Sequence, residues 1–276
     1  MIDISKFWVA EWIVCAFFTY LILLAVRRPL QRRHRLRVLA VSMVCIGLSV
    51  MLSQLRPSPA LQIVREWIPG IYLMHGYWLS GLFFERPMTA VERRLLDFDR
   101  VLFETLKVTE FLTRGPRIVL EYFELTYLLA YPFVPASFGV LCWLGARADA
   151  DSFWTALLIA GFGAYGLLPW IQTRPPRTFE HVSLADARGL FFGRLNVKVL
   201  DNASVQVNTF PSGHASVTFA AALAISSVDM RLGLVFGIVA TSITIATVLG
   251  RYHYAVDSIV GLLLGVTAWW IGFHLV

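Results

Sequence analysis

Three short clusters in the sequence combine residue types that bind and transfer phosphate. The first is "QTRPPR", in which Arg174 and Arg177 flank a stiff Pro-Pro pair. Arginine offers planar, paired donors to phosphate oxygens, so this cluster favours phosphate binding. A positive cap on a membrane helix is the alternative interpretation, because the cluster directly follows an apolar segment.

The second cluster, "PSGH", stands before an apolar run that ends near Val228. Ser212 is a good helix N-cap residue, and Gly213 lets a ligand come close to the backbone. His214 then falls in the first turn of the predicted helix, whose free N–H groups and positive dipole end attract an anion. A capped helix with a hydrogen-bonded histidine beside it is the alternative interpretation.

The third cluster, "GRYHYAVDS", contains Arg251, His253 and Asp257. A histidine and an aspartate four residues apart share one face of a helix and can form a hydrogen bond. Such an aspartate fixes the imidazole tautomer and raises its basicity, as a nucleophilic histidine requires. An ordinary His–Asp pair at a helix end is the alternative.

The composition indicates that membrane-spanning helices position these clusters. The chain has 276 residues, of which 57% are hydrophobic and 15% charged, whereas soluble domains are about 25% charged. An interrupted apolar stretch occurs at residues 68–84, and seven other stretches reach or approach the roughly 20 residues of a spanning helix. These seven are residues 7–26, 38–55, 118–144, 153–171, 215–228, 232–249 and 259–276.

The sequence therefore predicts an all-α fold, a polytopic transmembrane helical bundle with seven or eight crossings. We divide it into N-terminal transmembrane segments (1–84), an amphipathic interfacial segment (85–117) and a transmembrane core (118–276) that contains an active-site loop at 172–210. The apolar face of the interfacial helix is predicted from helical spacing. It comprises Leu95, Leu96, Val101, Leu102 and Leu106.

Counting crossings predicts that the three clusters meet at one membrane face. From His214 the chain crosses once by about Val228 and returns by about Leu249, since a helix of about 20 residues rises about 30 Å. The loop at 172–209 joins Arg174 and Arg177 to the second cluster without a crossing. Coincidence is a poor explanation for such a gathering of phosphate-binding and nucleophilic groups.

In this order and spacing, the clusters resemble the signatures of the type 2 phosphatidic acid phosphatase (lipid phosphate phosphatase) superfamily. Those signatures are an Arg-Pro motif, then Pro-Ser-Gly-His, then an arginine followed by His-x-x-x-Asp. The resemblance covers about residues 165–265 and implies a six-helix core and a reaction that needs no metal or other cofactor. It implies that His253 attacks phosphorus, that Asp257 orients it, and that His214 protonates the leaving oxygen.

The same resemblance implies that Arg174, Ser212 and the backbone N–H of Gly213 bind the phosphoryl oxygens. Two positions depart from the signatures, because Leu167 stands where a lysine is usual and Thr247 where an arginine is usual. Arg177 and Arg251 are the candidate substitutes. The Pro-Pro-Arg form, with "YGLLP" and "LLDFDRVLF", resembles the branch that contains inositol phosphorylceramide synthases, which transfer a phospho-headgroup between lipids.

The leading hypothesis is an integral-membrane lipid phosphatase that acts on a phosphomonoester or pyrophosphate of a lipid. A headgroup phosphotransferase and a non-catalytic lipid-phosphate transporter are the alternatives. Expected partners are the lipid phosphate and membrane lipids but not nucleic acid, since the arginines cluster near membrane boundaries. The oligomeric state is left open. His181, in the active-site loop, is a further candidate for the site.

The arginines also bear on orientation. Residues 27–37 contain six arginines and indicate a cytoplasmic loop. The family resemblance implies an active site on the extracytoplasmic face. If residues 68–84 are re-entrant or interfacial, seven crossings put the active-site loop outside; if they span, either the site is cytoplasmic or the arginine rule fails here. The weak hydropathy of 68–84 favours seven, so we expect a bacterial inner-membrane protein with an outward-facing site.

Overall fold

The structure is a computed structural model that describes residues 2–56, 58–179, 188–205, 207 and 209–275. The all-α prediction is confirmed, since those residues contain eleven α-helices and no strand. In chain order the helices are α1 Val9–Arg27, α2 Arg32–Gln54, α3 Pro59–Gly81, α4 Thr89–Thr105, α5 Val108–Arg114, α6 Arg117–Trp143, α7 Ala150–Leu167, α8 Phe191–Ala203, α9 Gly213–Val228, α10 Met230–Leu249 and α11 Ala255–His274.

Helix length and apolarity support a multi-pass membrane protein. Within the described residues, five helices are long and apolar enough to cross a membrane: α1, α2, α6, α10 and α11. Helix α9 is apolar but has 16 residues. Helices α3 and α7 pack against other helices of the bundle, although α3 also exposes Ile63, Val64, Trp67 and Ile71. The number of crossings stays a prediction.

Helices α7 and α9 form the centre of the bundle. Helix α7 packs against α1, α3, α9 and α11, and α9 also packs against α6 and α10. Glycines let α11 approach α9 closely: a Cβ at Gly261 or Gly265 would lie 2.4 Å from the carbonyl oxygen of Ser212 or Ser216. The Ser212 backbone N–H also donates to the Asp257 carbonyl oxygen at 3.0 Å. This contact holds the second and third clusters together.

The interrupted stretch at 68–84 belongs mostly to a continuous helix, α3. Its 23 residues correspond to a rise of about 35 Å. Near its N-terminal end the Glu66 carbonyl accepts a hydrogen bond from Trp154 Nε1 at 2.6 Å, and at its other end Gly81 packs against Val205. The helix therefore extends from one end of the bundle to the other, packed against α1, α2 and α7.

The helix ends define two faces of the bundle. Short turns join α1 to α2, α2 to α3, α6 to α7, α9 to α10 and α10 to α11, so the members of each pair are antiparallel. We call the face that carries His214 and His253 the motif face. Arg28, after α1, donates to the Pro169 carbonyl oxygen at 3.0 Å, which places the end of α1 at that face. At the opposite face, Asp151 accepts from the first N–H groups of α1.

Three amphipathic helices contribute to the motif face: α4, α5 and α8. Of the residues predicted on the apolar face of the interfacial helix, Leu95 is buried in the protein, whereas Val101 and Leu106 are 66% and 63% exposed. The side of α4 that the protein buries comprises Glu92, Leu95, Asp99 and Phe103, because α4 packs against α11 and its two carboxylates bind arginines. The predicted active-site loop at 172–210 also contains regular structure, namely α8 and a 3-10 turn at Pro176–Phe179.

Candidate active site

The second cluster forms the N-terminus of α9. Ser212 is buried, and its Oγ accepts a hydrogen bond from the Ala215 backbone N–H at 3.3 Å. Ser212 thus caps the helix, and Gly213 and His214 occupy its first turn. The first N–H groups of a helix have no partner within the helix, and together with the positive end of the helix dipole they make this turn favourable for an anion. Tyr165 packs against Gly213, where a Cβ would lie 2.6 Å from the tyrosine ring.

The two histidines face each other. His253 Nε2 lies 3.4 Å from His214 Nδ1, and His253 Nδ1 lies 2.9 Å from the Thr209 carbonyl oxygen. Because a carbonyl oxygen only accepts, the hydrogen of a neutral His253 ring belongs on Nδ1. The Nε2 lone pair is then directed at His214. This is the tautomer that a nucleophilic histidine requires.

Asp257 supports His253 at a longer distance than the helical spacing suggests. Its Oδ2 lies 3.5 Å from His253 Nδ1 and accepts the Tyr254 backbone N–H at 3.1 Å. A separation of 3.5 Å exceeds that of a good hydrogen bond. The Thr209 carbonyl is therefore the direct partner of Nδ1, and the buried Asp257 carboxylate adds an electrostatic contribution. Among the described residues, Asp257 Oδ1 has no hydrogen-bond partner.

Arg174 is bound by a carboxylate instead of facing the histidines. Its Nε and Nη2 donate to Glu92 Oε1 and Oε2 at 3.0 and 2.9 Å, and its backbone N–H donates to Oε1 at 2.8 Å. Burial opposes the charge on Glu92, but the hydrogen bonds from Arg174 outweigh it and lower the pKa of the Glu92 carboxyl. Arg174 therefore belongs to an ion pair that supports the loop.

Arg251 has an equivalent partner. Its Nη1 donates to Asp99 Oδ2 at 2.7 Å, while Asp99 Oδ1 accepts the Ala255 backbone N–H at 2.9 Å. Burial raises the pKa of the Asp99 carboxyl against the opposing effect of these hydrogen bonds. Asp99 thereby connects α4 to the turn that precedes α11 and carries His253. Arg251 thus takes part in this connection, and its contact with phosphate stays a prediction.

Arg177 is the arginine from the three clusters that shares a cavity with both histidines. Its guanidinium carbon lies 5.3 Å from the centre of the Tyr252 ring, and its backbone N–H donates to the Arg251 carbonyl oxygen at 3.2 Å. The Tyr252 hydroxyl donates in turn to Glu124 Oε2 at 2.9 Å. Aromatic packing and loop hydrogen bonds therefore hold Arg177 beside the histidines.

The cavity extends from the histidines into the bundle between α3, α6 and α7. Its volume is about 640 Å³. Its inner end is lined by Trp67 and Trp154, and ten residues of α3 separate Trp67 from Tyr77 near the motif face. That separation corresponds to about 15 Å along the helix. The walls between the two ends are mostly aliphatic and aromatic, with Met74, Tyr127, Tyr131, Val134 and Tyr165 among them.

Sequence reasoning missed the two carboxylates on α4 and the Thr209 carbonyl. Glu92 and Asp99 did carry a signal, because they share helical spacing with Leu95 and Phe103. Acidic residues on the apolar face of a helix indicate buried partners. Thr209 acts through its backbone, which no side-chain pattern can reveal. His181 lies outside the described residues.

The Arg174–Glu92 pair leads to a stability prediction. Replacing Glu92 by Gln removes the charge that binds Arg174, and we expect a loss of about 2 kcal/mol at pH 7. Because folding lowers the pKa of the Glu92 carboxyl, the carboxylate stabilises the protein at pH values above 4.5, the ordinary pKa of glutamate. This contribution disappears as the pH falls through the lowered folded-state pKa.

Thermal unfolding in detergent at pH 7 and near pH 3.5 measures this effect. The difference between wild type and Glu92→Gln should narrow at the lower pH. The matched control is Glu104→Gln, which changes an exposed glutamate on the same helix and should unfold like wild type at both pH values. An equal effect of both substitutions at pH 7 contradicts the prediction.

A comparison with protein families shows which family the chain belongs to. A family model described as the PAP2 superfamily matches residues 93–271, which include all three clusters. No curated protein and no solved structure matches the chain. In the part of the chain that the structure describes, no group of three or more His, Cys, Asp or Glu residues is placed to hold a metal ion. The chain therefore belongs to the PAP2 superfamily, and this membership supports a phosphatase-type function on lipid phosphate.

Proposed function

We propose that this membrane protein hydrolyses a phosphomonoester or pyrophosphate of a lipid through a phosphohistidine intermediate on His253. The observation that carries the proposal is the position of the His214–His253 pair and Arg177 at the polar end of a long apolar cavity. A phosphate group fits beside the two histidines and Arg177, and a hydrocarbon chain fits in the apolar part of the cavity.

The first half-reaction uses both histidines. The lone pair on His253 Nε2 forms a bond to phosphorus while the bond from phosphorus to the leaving oxygen breaks. His214, whose Nδ1 lies 3.4 Å from Nε2, donates a proton to that oxygen. Arg177 and the N-terminus of α9 stabilise the charge on the transferring phosphoryl group. Removing one such donor typically costs about 2.7–4 kcal/mol of transition-state stabilisation.

The second half-reaction releases phosphate. His214, now neutral, accepts a proton from water as the water oxygen attacks phosphorus and the P–N bond breaks. The Thr209 carbonyl keeps the hydrogen of His253 on Nδ1 throughout, so Nε2 alone carries the phosphoryl group. The proposed cycle is complete with water as its co-reactant and involves no change of oxidation state.

The cavity supports a lipid substrate. Its inner part, between Trp67 and the histidines, is lined by apolar and aromatic side chains, as expected of a site that binds hydrocarbon. The headgroup-transferase alternative differs in its second step, in which a lipid hydroxyl replaces water. The transporter alternative leaves the facing histidines without a purpose, since recognition of phosphate needs arginines and N–H groups but no nucleophile.

Phosphate release from a panel of substrates in detergent with EDTA tests the proposal. We expect release from lipid monophosphates and pyrophosphates, with a kcat/KM that rises as the chain lengthens from four to about twelve carbons. Inactivity on every phosphate in well-folded protein contradicts the hydrolase. If headgroup transfer then appears when diacylglycerol or ceramide is added, the transferase is correct; continued inactivity favours the transporter.

A further inference from the structure

We propose that the motif face of the bundle is its cytoplasmic face, where exposed arginines contact the anionic headgroups of that leaflet. The proposal follows from two observations, the second of which builds on the first. The first is the course of the long helices, which fixes which loops share a face. The second is the distribution of positive charge between the two faces.

The course of the chain places the arginine-rich loop on the same side as the histidines. Tyr20, near the end of α1, donates to the Gly166 carbonyl oxygen at 2.6 Å, and Arg28 donates to the Pro169 carbonyl oxygen. Gly166 and Pro169 lead directly into the loop that holds Arg177. The outward-facing site predicted from sequence required that residues 68–84 stay on one side of the bundle. Helix α3 does not meet that condition, because it runs from end to end.

Positive charge is strongly divided between the faces. The chain has 24 Lys and Arg residues, none of them outside the described ranges. Five belong to the opposite face, and the other 19 belong to the motif face or the loops and amphipathic helices that cover it. The five are Lys6, Arg56, Arg65, Arg147 and Arg231.

The site itself does not account for this asymmetry. Removing Arg174, Arg177 and Arg251 from the count still leaves 16 positive residues against five. Many of the 16 are exposed, including Arg93 and Arg94 on α4. The connections involved have fewer than 60 residues, which is the range in which Lys and Arg determine orientation. Acidic residues contribute little to that rule, so the excess points to the cytoplasm.

The motif face also has the geometry of a membrane-surface contact. Helices α4 and α8 are amphipathic, and their exposed sides carry Arg93, Arg94, Arg194 and Lys198. Basic groups on interfacial helices are attracted to the anionic lipids of the cytoplasmic leaflet. If the proposed hydrolase activity is correct, its substrate is a lipid phosphate with its headgroup in that leaflet, and phosphate is released into the cytoplasm.

Site-specific thiol labelling tests the orientation. The three native cysteines, which lie in the helices α1, α2 and α6, are first replaced by Ala. Glu104→Cys then marks the motif face and Ala148→Cys the opposite face, both at exposed positions. In intact spheroplasts, a membrane-impermeant maleimide should label Ala148→Cys at least about ten times more than Glu104→Cys. After permeabilisation both should react equally.

The reverse pattern overturns the proposal, and so does equal labelling before permeabilisation. A second measurement uses the unmodified chain: alkaline phosphatase fused after α11 should be active, and a green fluorescent protein fused there should be dark. Neither experiment depends on the chemistry of the site. If the protein itself released no phosphate from lipid substrates, the proposed function would be contradicted, but its orientation in the membrane could still be measured.

Discussion

His253→Ala should reduce phosphate release by at least about 1,000-fold, because the substitution removes the nucleophile that forms the covalent intermediate. Its Nε2 faces His214, and its Nδ1 is tied to the Thr209 carbonyl. His75, which also lines the cavity, bonds to the Ile71 carbonyl oxygen of its own helix. Brief incubation with a ³²P-labelled substrate should label wild type with acid-labile, base-stable phosphate and leave His253→Ala unlabelled.

His214→Ala should behave differently, which separates the nucleophile from the acid. Losing a general acid costs about 10²–10⁴-fold with an alkyl leaving group. A p-nitrophenyl leaving group needs no proton, so with p-nitrophenyl phosphate the variant should still form the labelled intermediate.

The matched control is His274→Ala, at the end of α11 on the opposite face, which should retain wild-type rates. Phosphate release by His253→Ala within tenfold of wild type contradicts the mechanism. Loss of labelling in His214→Ala with the p-nitrophenyl substrate contradicts the assignment of the acid.

Arg177→Ala should lower kcat/KM by about 100–1,000-fold, the usual cost of removing one charged donor from a phosphoryl-transfer site. Arg177 lines the cavity with both histidines, whereas Arg174 and Arg251 are paired with Glu92 and Asp99. Arg177→Lys should restore part of the rate, because lysine keeps the charge but loses the planar, paired donors.

Arg174→Ala is the informative comparison, since the family resemblance gives that residue the phosphate contact. The structure predicts that Arg174→Ala mainly lowers the unfolding temperature and weakens inhibition by inorganic phosphate less than Arg177→Ala does. Inhibition constants for inorganic phosphate, measured on variants that remain monodisperse, show whether Arg174 or Arg177 makes the larger contribution to phosphate binding. A larger effect of Arg174→Ala on phosphate inhibition, with unchanged stability, would return the phosphate contact to Arg174.

The sequence by itself determined the features that depend on local spacing. Composition and apolar length establish a helical membrane bundle because each spanning helix must satisfy its own backbone hydrogen bonds. The Ser212 cap and the return of His253 to the level of His214 follow from helix geometry and the length of two helices. These features involve neighbouring residues or a simple count of crossings, and they could be predicted without knowing any long-range contact.

Only the tertiary structure decided which partner each charged group takes and which face each loop occupies. Glu92 meets Arg174 across 82 positions, and Asp99 meets Arg251 across 152. Pro69, Gly70, His75 and Gly76 interrupt the apolar stretch in α3, so hydropathy alone could not show that the helix continues from one end of the bundle to the other. The ion pairs and the extent of α3 both depend on how the helices pack. Packing determines which groups are buried, and thereby whether an arginine faces a substrate or a carboxylate.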